Sequence, residues 1–255
     1  MMPYIIYFTA GLFAGSFFYT LALRYSSGMF TESPFRALFG RSACPSCGRP
    51  VGIIPLVPLI GYIVAAGRCR ECGAKVSPLY PLAEIAYGLL AVAVARFHGQ
   101  DILSLHIYLI CSLCLCIAII DVKSMVIPSS LVAVFLILSV YPVFMHGDFM
   151  DNLYGFLLLT LFFMLMLLIF PGAFGGGDIK LYAAAGFLLG LEMSVVLLEV
   201  SLISGALFGV LYGFFKGRNF RQKIPFAPFI SAGIVITLLF GNTILLVYYR
   251  AAFSF

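Results

Sequence analysis

Cys111-Ser112-Leu113-Cys114-Leu115-Cys116-Ile117-Ala118-Ile119-Ile120-Asp121 is an apolar run that ends on a carboxylate. A second run, Leu157 to Phe170, leads into Gly175-Gly176-Gly177-Asp178. A carboxylate in or beside hydrocarbon is costly unless it is paired, solvated or protonated. Two of them at helix ends that open on one side of a membrane therefore point to chemistry.

The membrane setting follows from composition. Hydrophobic residues make up 63% of the 255-residue chain and charged residues 10%. The mean hydropathy is +1.11, outside the range of a soluble domain. A crossing helix needs about 20 apolar residues, and such stretches fall at 3–23, 81–97, 103–121, 130–145, 152–171, 179–190, 192–216 and 226–248. The sixth is short: at 1.5 Å per residue it gives roughly 18 Å of helix, so it is expected to tilt inward or to span only partly. No cleavable signal peptide is evident, because the first apolar run starts at once, lacks a basic flank and is as long as a span.

Charge orients the chain. With 24–80 in the cytoplasm, the inside segments hold Arg24, Arg36, Arg41, Arg49, Arg68, Arg70, Lys75, Lys123, Lys180, Lys216, Arg218, Arg221 and Lys223, thirteen of the 15 basic residues. Only Arg96 and Arg250 fall outside, which satisfies the positive-inside rule and places the N-terminus outside. The net charge of +5 calls for no nucleic acid. Basic loops against anionic lipid headgroups account for it.

Residues 24–80 read differently from the rest, with Cys44-Pro45-Ser46-Cys47 and Cys69-Arg70-Glu71-Cys72. Two C-x-x-C pairs at this separation have the spacing of a four-thiolate zinc site, each pair supplying two adjacent tetrahedral ligands. Gly48 and Gly73 directly follow the second cysteine of each pair and suit the turn around a metal. The competing reading, disulfides or free thiols, is disfavoured by a reducing cytoplasm. Between the pairs, the apolar stretch Ile53 to Ile60 carries two prolines, so no helix is expected there, and it is read as packing the metal module onto the membrane face. Cys111, Cys114 and Cys116 share no clean helix face and read as small hydrophobes.

These motifs, in this order, resemble the type IV prepilin peptidases, bifunctional leader peptidases and N-methyltransferases of pilus, competence and type II secretion systems. The resemblance runs nearly end to end: Gly11 to Phe17, Arg41 to Cys47, Gly67 to Cys72, Tyr80-Pro81-Leu82-Ala83-Glu84, Asp121 through Ile127-Pro128, and Gly175 to Leu181. It implies that Asp121 and Asp178 are a catalytic pair, Asp178 lying in the G-x-G-D signature shared with presenilin-like proteases. It also implies S-adenosylmethionine as methyl donor and prepilins or pseudopilins as substrates, in the bacterial cytoplasmic membrane, with both aspartates at the cytoplasmic side.

The residues support the peptidase chemistry on their own terms. Two carboxyls held close do not both ionise cheaply, so one serves as acid while the other activates water. Gly175 and Gly177 let a backbone approach Asp178 without obstruction, and Lys180 in the same loop is read as pairing with a carboxylate or reaching headgroups. The plainer reading makes Asp178 a helix cap and Asp121 an interface marker. Nothing resembles a soluble methyltransferase, so methylation rests on the resemblance. Glu84 is the candidate for holding the amine or the cofactor, against a role as partner to a cytoplasmic arginine. Glu32, Glu71 or backbone groups are the candidates for leader recognition. The chain departs from the family pattern at Tyr19, where an asparagine is usual, and at Ser129, where an acid or amide often follows Ile-Pro. A proton-coupled transporter with a zinc module, and an intramembrane protease lacking methyltransferase activity, are the rival functions.

The expectation is thus an all-α, polytopic integral membrane protein of about eight transmembrane helices with a small zinc-binding cytoplasmic insertion. It divides into a first helix (1–23), a metal-binding domain (24–80) and a membrane aspartyl protease domain (81–255). Its oligomeric state is not legible.

Overall fold

Apolar residues without a strand-like alternation leave the backbone one way to satisfy itself in lipid, which is to coil into helices. The computed structural model describes residues 2–172, 174–216 and 224–253. Arg218, Arg221 and Lys223, counted above among the inside charges, lie outside them, as do the side chains of Arg36 and Lys216. Among the described residues the elements are α1 (Met2–Ser26), α2 (Met29–Glu32), α3 (Pro34–Phe39), a 3-10 turn (Ile54–Leu56), α4 (Ile60–Val64), α5 (Leu79–His98) and α6 (Ile102–Ser124). These are followed by α7 (Ser129–His146), α8 (Phe149–Ile169), α9 (Gly176–Leu189), α10 (Leu191–Lys216) and α11 (Ala227–Phe253). The only strand-like pairings described are two isolated bridges in the cysteine module.

A helix stands at each of the eight places where the hydropathy asks for one. Six of them, α1, α5, α6, α8, α10 and α11, are long and apolar enough to cross a membrane. α7 is a shorter apolar helix, and α9 has only 14 residues. Among the described residues length and composition thus support a multi-pass protein with six candidate spans, and they do not by themselves reach the expected eight. Between the two cysteine pairs the prolines hold helix to a single 3-10 turn with Pro55 inside it, followed by the five-residue α4.

By packing, the chain divides into two compact units, Met1–Gln100 and Asp101–Phe255. In the first, α1 and α5 touch backbone to backbone. A Cβ on Gly11 would stand 2.7 Å from Gly88 Cα, and one on Gly15 would stand 2.8 Å from Glu84 Cα. Glycines four apart on one face are what allow helices to approach so closely in lipid, where van der Waals packing replaces the hydrophobic effect as the driving force. The crossing sets Tyr19 edge-on to Tyr80, centroids 4.8 Å apart, and stacks Phe18 on Tyr87. Arg24, at the end of α1, donates to the carbonyls of Ala37 and Gly40, both at 2.8 Å, and so holds the chain beyond α3.

One residue of the first unit is strained. Leu59 has φ 59° and ψ −54°, a conformation that costs an L-residue about 1–3 kcal/mol and persists only where its surroundings impose it. Its N–H donates to Glu84 Oε2 at 2.8 Å.

In the second unit the short α9 is wrapped by its neighbours. Tyr182, Leu181, Ala184 and Ala185 are fully buried. α8 approaches closely because Gly155 and Gly186 face each other, a Cβ on Gly186 falling 2.4 Å from Gly155 O. α9 stops at Gly190, whose φ of 77° suits glycine, and α10 begins at the next residue. The short sixth segment is therefore a buried helix whose N-terminus bears Asp178. Cys111, Cys114 and Cys116 are buried in α6 as apolar packing.

Substituting valine for Gly11 or Gly88 should force α1 and α5 apart and destabilise the first unit by about 1–3 kcal/mol. The expected result is a lowered midpoint of thermal unfolding in detergent, which an alanine at Gly209, whose nearest neighbour is Ile224 Cδ1 at 4.0 Å, would not reproduce.

Candidate active site and metal centre

Asp121 lies in the last turn of α6 and Asp178 in the first turn of α9, with exposures of 6% and 9%. α6 ends just beyond, where Met125 takes a left-handed conformation and its N–H donates to Asp121 O at 2.8 Å. A carboxylate at a helix C-terminus opposes the macrodipole. Asp121 is compensated by the start of another helix: Oδ2 accepts the Ala227 N–H at 3.0 Å, at the positive N-terminal end of α11. Asp178 sits at the N-terminus of its own helix, where Oδ2 accepts the Gly175 N–H at 2.9 Å. That bond is half of a capping box; glycine has no side chain to return the other half. Each carboxylate thus rests on a helix N-terminus, and the two lie within electrostatic reach of each other.

The three glycines are not equivalent. A Cβ on Gly177 would fall 2.8 Å from Ile127 Cβ, and one on Gly175 would fall 3.2 Å from Asp178 Oδ2, whereas at Gly176 it would meet open space. Gly177 therefore lets the turn between α6 and α7 close against the first turn of α9. One turn along, Lys180 Nζ donates to Ser129 Oγ at 2.9 Å and fastens the same two segments.

Aromatic rings tie the supporting loops together. Phe174, just before Gly175, meets Phe226, just before Ala227, edge to face at 5.2 Å. It also meets Phe163 at 5.0 Å, and Phe163 stacks on Tyr182 at 3.9 Å. Tyr182 donates to Ser201 Oγ at 2.7 Å, pinning α9 to α10.

The cysteine pairs form two like turns. Cys44 N–H donates to Arg49 O and Gly48 N–H to Cys44 O; Cys69 N–H donates to Ala74 O and Gly73 N–H to Cys69 O. Gly48 and Gly73 close these turns at φ 70° and 71°. The four Sγ atoms lie within 4.8 Å of one another, and Cys44 and Cys72 are 3.8 Å apart. A tetrahedron with Zn–S bonds of about 2.3 Å has edges of roughly 3.8 Å. The backbone N–H groups of Cys47 and Ser46 lower the Cys44 thiol, while Cys72 among the same four thiols is raised. Arg49 and Glu71 pair across the two turns at 2.5 Å. The donor set fits zinc.

Glu84 belongs to the first unit. It is buried, with 7% exposure, and borders a cavity of about 1590 Å³ that Ser16, Thr20, Tyr62 and Tyr80 also line. Among the described residues no arginine pairs with it: Arg24 is engaged by backbone carbonyls, and the ion pair found there is Arg49–Glu71.

Residues 9–97 match the Bacterial Peptidase A24 N-terminal domain, and residues 108–210 match the Type IV leader peptidase family. A Bacillus subtilis (strain 168) protein named prepilin leader peptidase/N-methyltransferase is 31% identical over 249 residues, covering 97% of this chain and 98% of its own. Proteins of the same name from Burkholderia pseudomallei (strain 1026b) and Aeromonas hydrophila are 32% and 31% identical, covering 79% and 84% of this chain and 68% and 76% of theirs. The chain belongs to the type IV leader peptidase family. No solved structure matches it.

The two departures from the family pattern have structural content. Tyr19 packs its ring on Tyr80 where an amide is usual. Ser129 accepts from Lys180 where an acid or amide is frequent. Phe174, Phe226, the Ala227 N–H and Leu59 went unnoticed in the sequence. Ala227 reaches Asp121 across 106 residues, and no local signal marks such a partner.

Replacing Cys44 or Cys72 by serine removes one of four thiolates, and bound zinc should fall from about one per chain to a small fraction of that, as measured by elemental analysis. Unchanged metal content in either variant would refute the four-thiolate site.

Proposed function

We propose that this protein removes the short basic leader of type IV prepilins or pseudopilins at the cytoplasmic face of the bacterial inner membrane and then methylates the new N-terminus with S-adenosylmethionine. The observation that carries the peptidase reading is the juxtaposition of Asp121 and Asp178, two buried carboxylates each seated on a helix N-terminus.

One carboxyl holds a proton while the other takes a proton from water as the oxygen attacks the scissile carbonyl. The protonated partner donates its proton to the carbonyl oxygen, and as the adduct collapses the carboxyl that took water's proton passes it to the leaving amine while an adduct hydroxyl returns its proton to the other carboxylate. The backbone donors of Gly175 and Ala227 each occupy one oxygen of a carboxylate, so they fix the carboxyl planes without taking part in proton transfer. Gly177 and the Lys180–Ser129 bond set the separation of the helix ends that bear the dyad. A substrate whose leader precedes a long apolar helix would present its scissile bond where that helix leaves the bilayer, the level assigned to both aspartates by the positive-inside orientation.

For methylation, the first-unit cavity fits S-adenosylmethionine: tyrosine rings suited to a sulfonium, hydroxyls and a carboxylate line a space ample for a nucleoside. When bound there, the donor supplies the methyl carbon. Tyr62, Tyr80, Ser16 and Thr20 would hold it, and Glu84 supplies the negative charge of the site. Zinc is structural in this reading, since all four ligand positions are protein thiolates and none stays open.

Mass spectrometry of a cognate prepilin incubated with the purified protein tests both steps. Cleavage after the leader glycine, with a gain of one CH₂ that requires S-adenosylmethionine, is the expected result. Asp121→Asn and Asp178→Asn should each abolish cleavage while leaving the protein folded and zinc-loaded; an active Asp178→Asn protein would sink the dyad. Cleavage without the mass gain would turn attention to Tyr19. No cleavage of an authentic substrate would favour the transporter.

Lys180→Met and Ser129→Ala should each slow cleavage several-fold through kcat, with the double variant no slower than either single one. Additive losses would show that the two side chains act apart.

A further inference from the structure

A buried carboxylate needs a cation or several donors, and Glu84 has too few. Its Oε2 receives one backbone N–H, from Leu59. No Lys, Arg or His lies within ion-pair distance among the described residues, where the salt bridge found is Arg49–Glu71. The carboxylate can accept further donors from the cavity it lines. The donor is itself held at a cost, because Leu59 has φ 59° and ψ −54°, where side chains rarely sit. Strain of this kind clusters at ligand clamps. Both groups border the large first-unit cavity. The chain around Leu59 is braced by its neighbours: Gly61 packs on Pro55, a Cβ there falling 2.4 Å from Pro55 O, Ile60 N–H turns back to Pro58 O at 2.6 Å, and Ile63 N–H donates to Leu59 O at 3.0 Å.

We propose that Glu84 is the docking point for the free ammonium of the cleaved pilin N-terminus, and that the Leu59 N–H is a stand-in displaced when this ammonium arrives. The proposal rests on the methylation reading and adds to it the acceptor's position and a movement of the 53–60 connector. An N-terminal ammonium complements Glu84 in chemistry: one full positive charge, three donors and an apolar body to lie against the connector. Its charge-assisted bonds outcompete a neutral amide, and its arrival lets Leu59 relax into an ordinary backbone conformation. A leader still attached would place an amide there, so an uncleaved prepilin gains nothing from Glu84. The order of the two activities, cleavage before methylation, is then written into one carboxylate.

The test is equilibrium binding to the full-length, zinc-loaded protein in detergent. The probes are a synthetic peptide with a free N-terminal phenylalanine and the same peptide N-acetylated. The wild type should prefer the free amine by roughly tenfold or more, the scale of one charge-assisted bond. Glu84→Gln should erase that preference while leaving the acetylated peptide's affinity, the zinc content and the helical circular dichroism as they were. Leu59→Gly keeps the N–H but removes the strain, so it should weaken free-amine binding several-fold and spare the acetylated probe.

Equal binding of the two peptides by the wild type, or a preference that survives Glu84→Gln, overturns the docking point. So does a Glu84→Gln protein that loses S-adenosylmethionine binding yet still prefers the free amine, because the carboxylate would then serve the donor's own ammonium. Unchanged amine binding in Leu59→Gly overturns the displacement. A wild type that discriminates between the peptides but never transfers a methyl group leaves Glu84 as an amine site and removes the methylation reading instead.

Discussion

Carboxylates in an apolar protein must be compensated without water, and here helix N-termini do it. Asp178 caps the helix that carries it, while Asp121, placed by α6 at the wrong end of a dipole, is met by the first N–H of α11. That second bond requires α11 to return to α6 after the chain has passed through four other helices. The packing around the site serves this return: Phe226 fits where Gly205 leaves room, a Cβ there standing 2.6 Å from the ring, and it meets Phe174 beside the glycine turn.

Glycine recurs wherever two helices must touch backbone to backbone. Gly11 and Gly15 face Gly88 and Glu84, and Gly155 faces Gly186. In lipid no hydrophobic gain pulls helices together, so close approach and dispersion carry the association. The same closeness that joins α1 to α5 buries Glu84, and the closeness of α8 to α9 buries Tyr182 and holds Asp178 in place. Stability and site geometry thus share their contacts in both units.

The two units divide the chemistry as they divide the contacts. The aspartates proposed to carry peptide hydrolysis lie in Asp101–Phe255, and the cysteine cluster, the cavity and Glu84 all lie in Met1–Gln100. The family matches follow the same division, at residues 9–97 and 108–210. The connector between the two cysteine knuckles holds the strained Leu59 against Glu84.

Much of this protein was legible before any coordinates. Hydropathy placed eight helices, because a span is a local property of about 20 consecutive side chains. The C-x-x-C pairs announced a four-cysteine cluster that could hold a metal, because each knuckle is a local turn whose glycine is adjacent in sequence. The aspartates stood out because charge is rare in such a chain. What the sequence could not say is how many of the eight helices are long enough to cross, since α9 is a buried helix whose neighbours, not its own length, make it stable. Nor could it say that Ala227 faces Asp121, that Ser129 receives Lys180, or that Leu59 is bent onto Glu84. Those partners are separated by 25 to 106 residues, and such pairings exist only once helices have packed, because a hydrogen bond across that distance has no signature in the local order of residues.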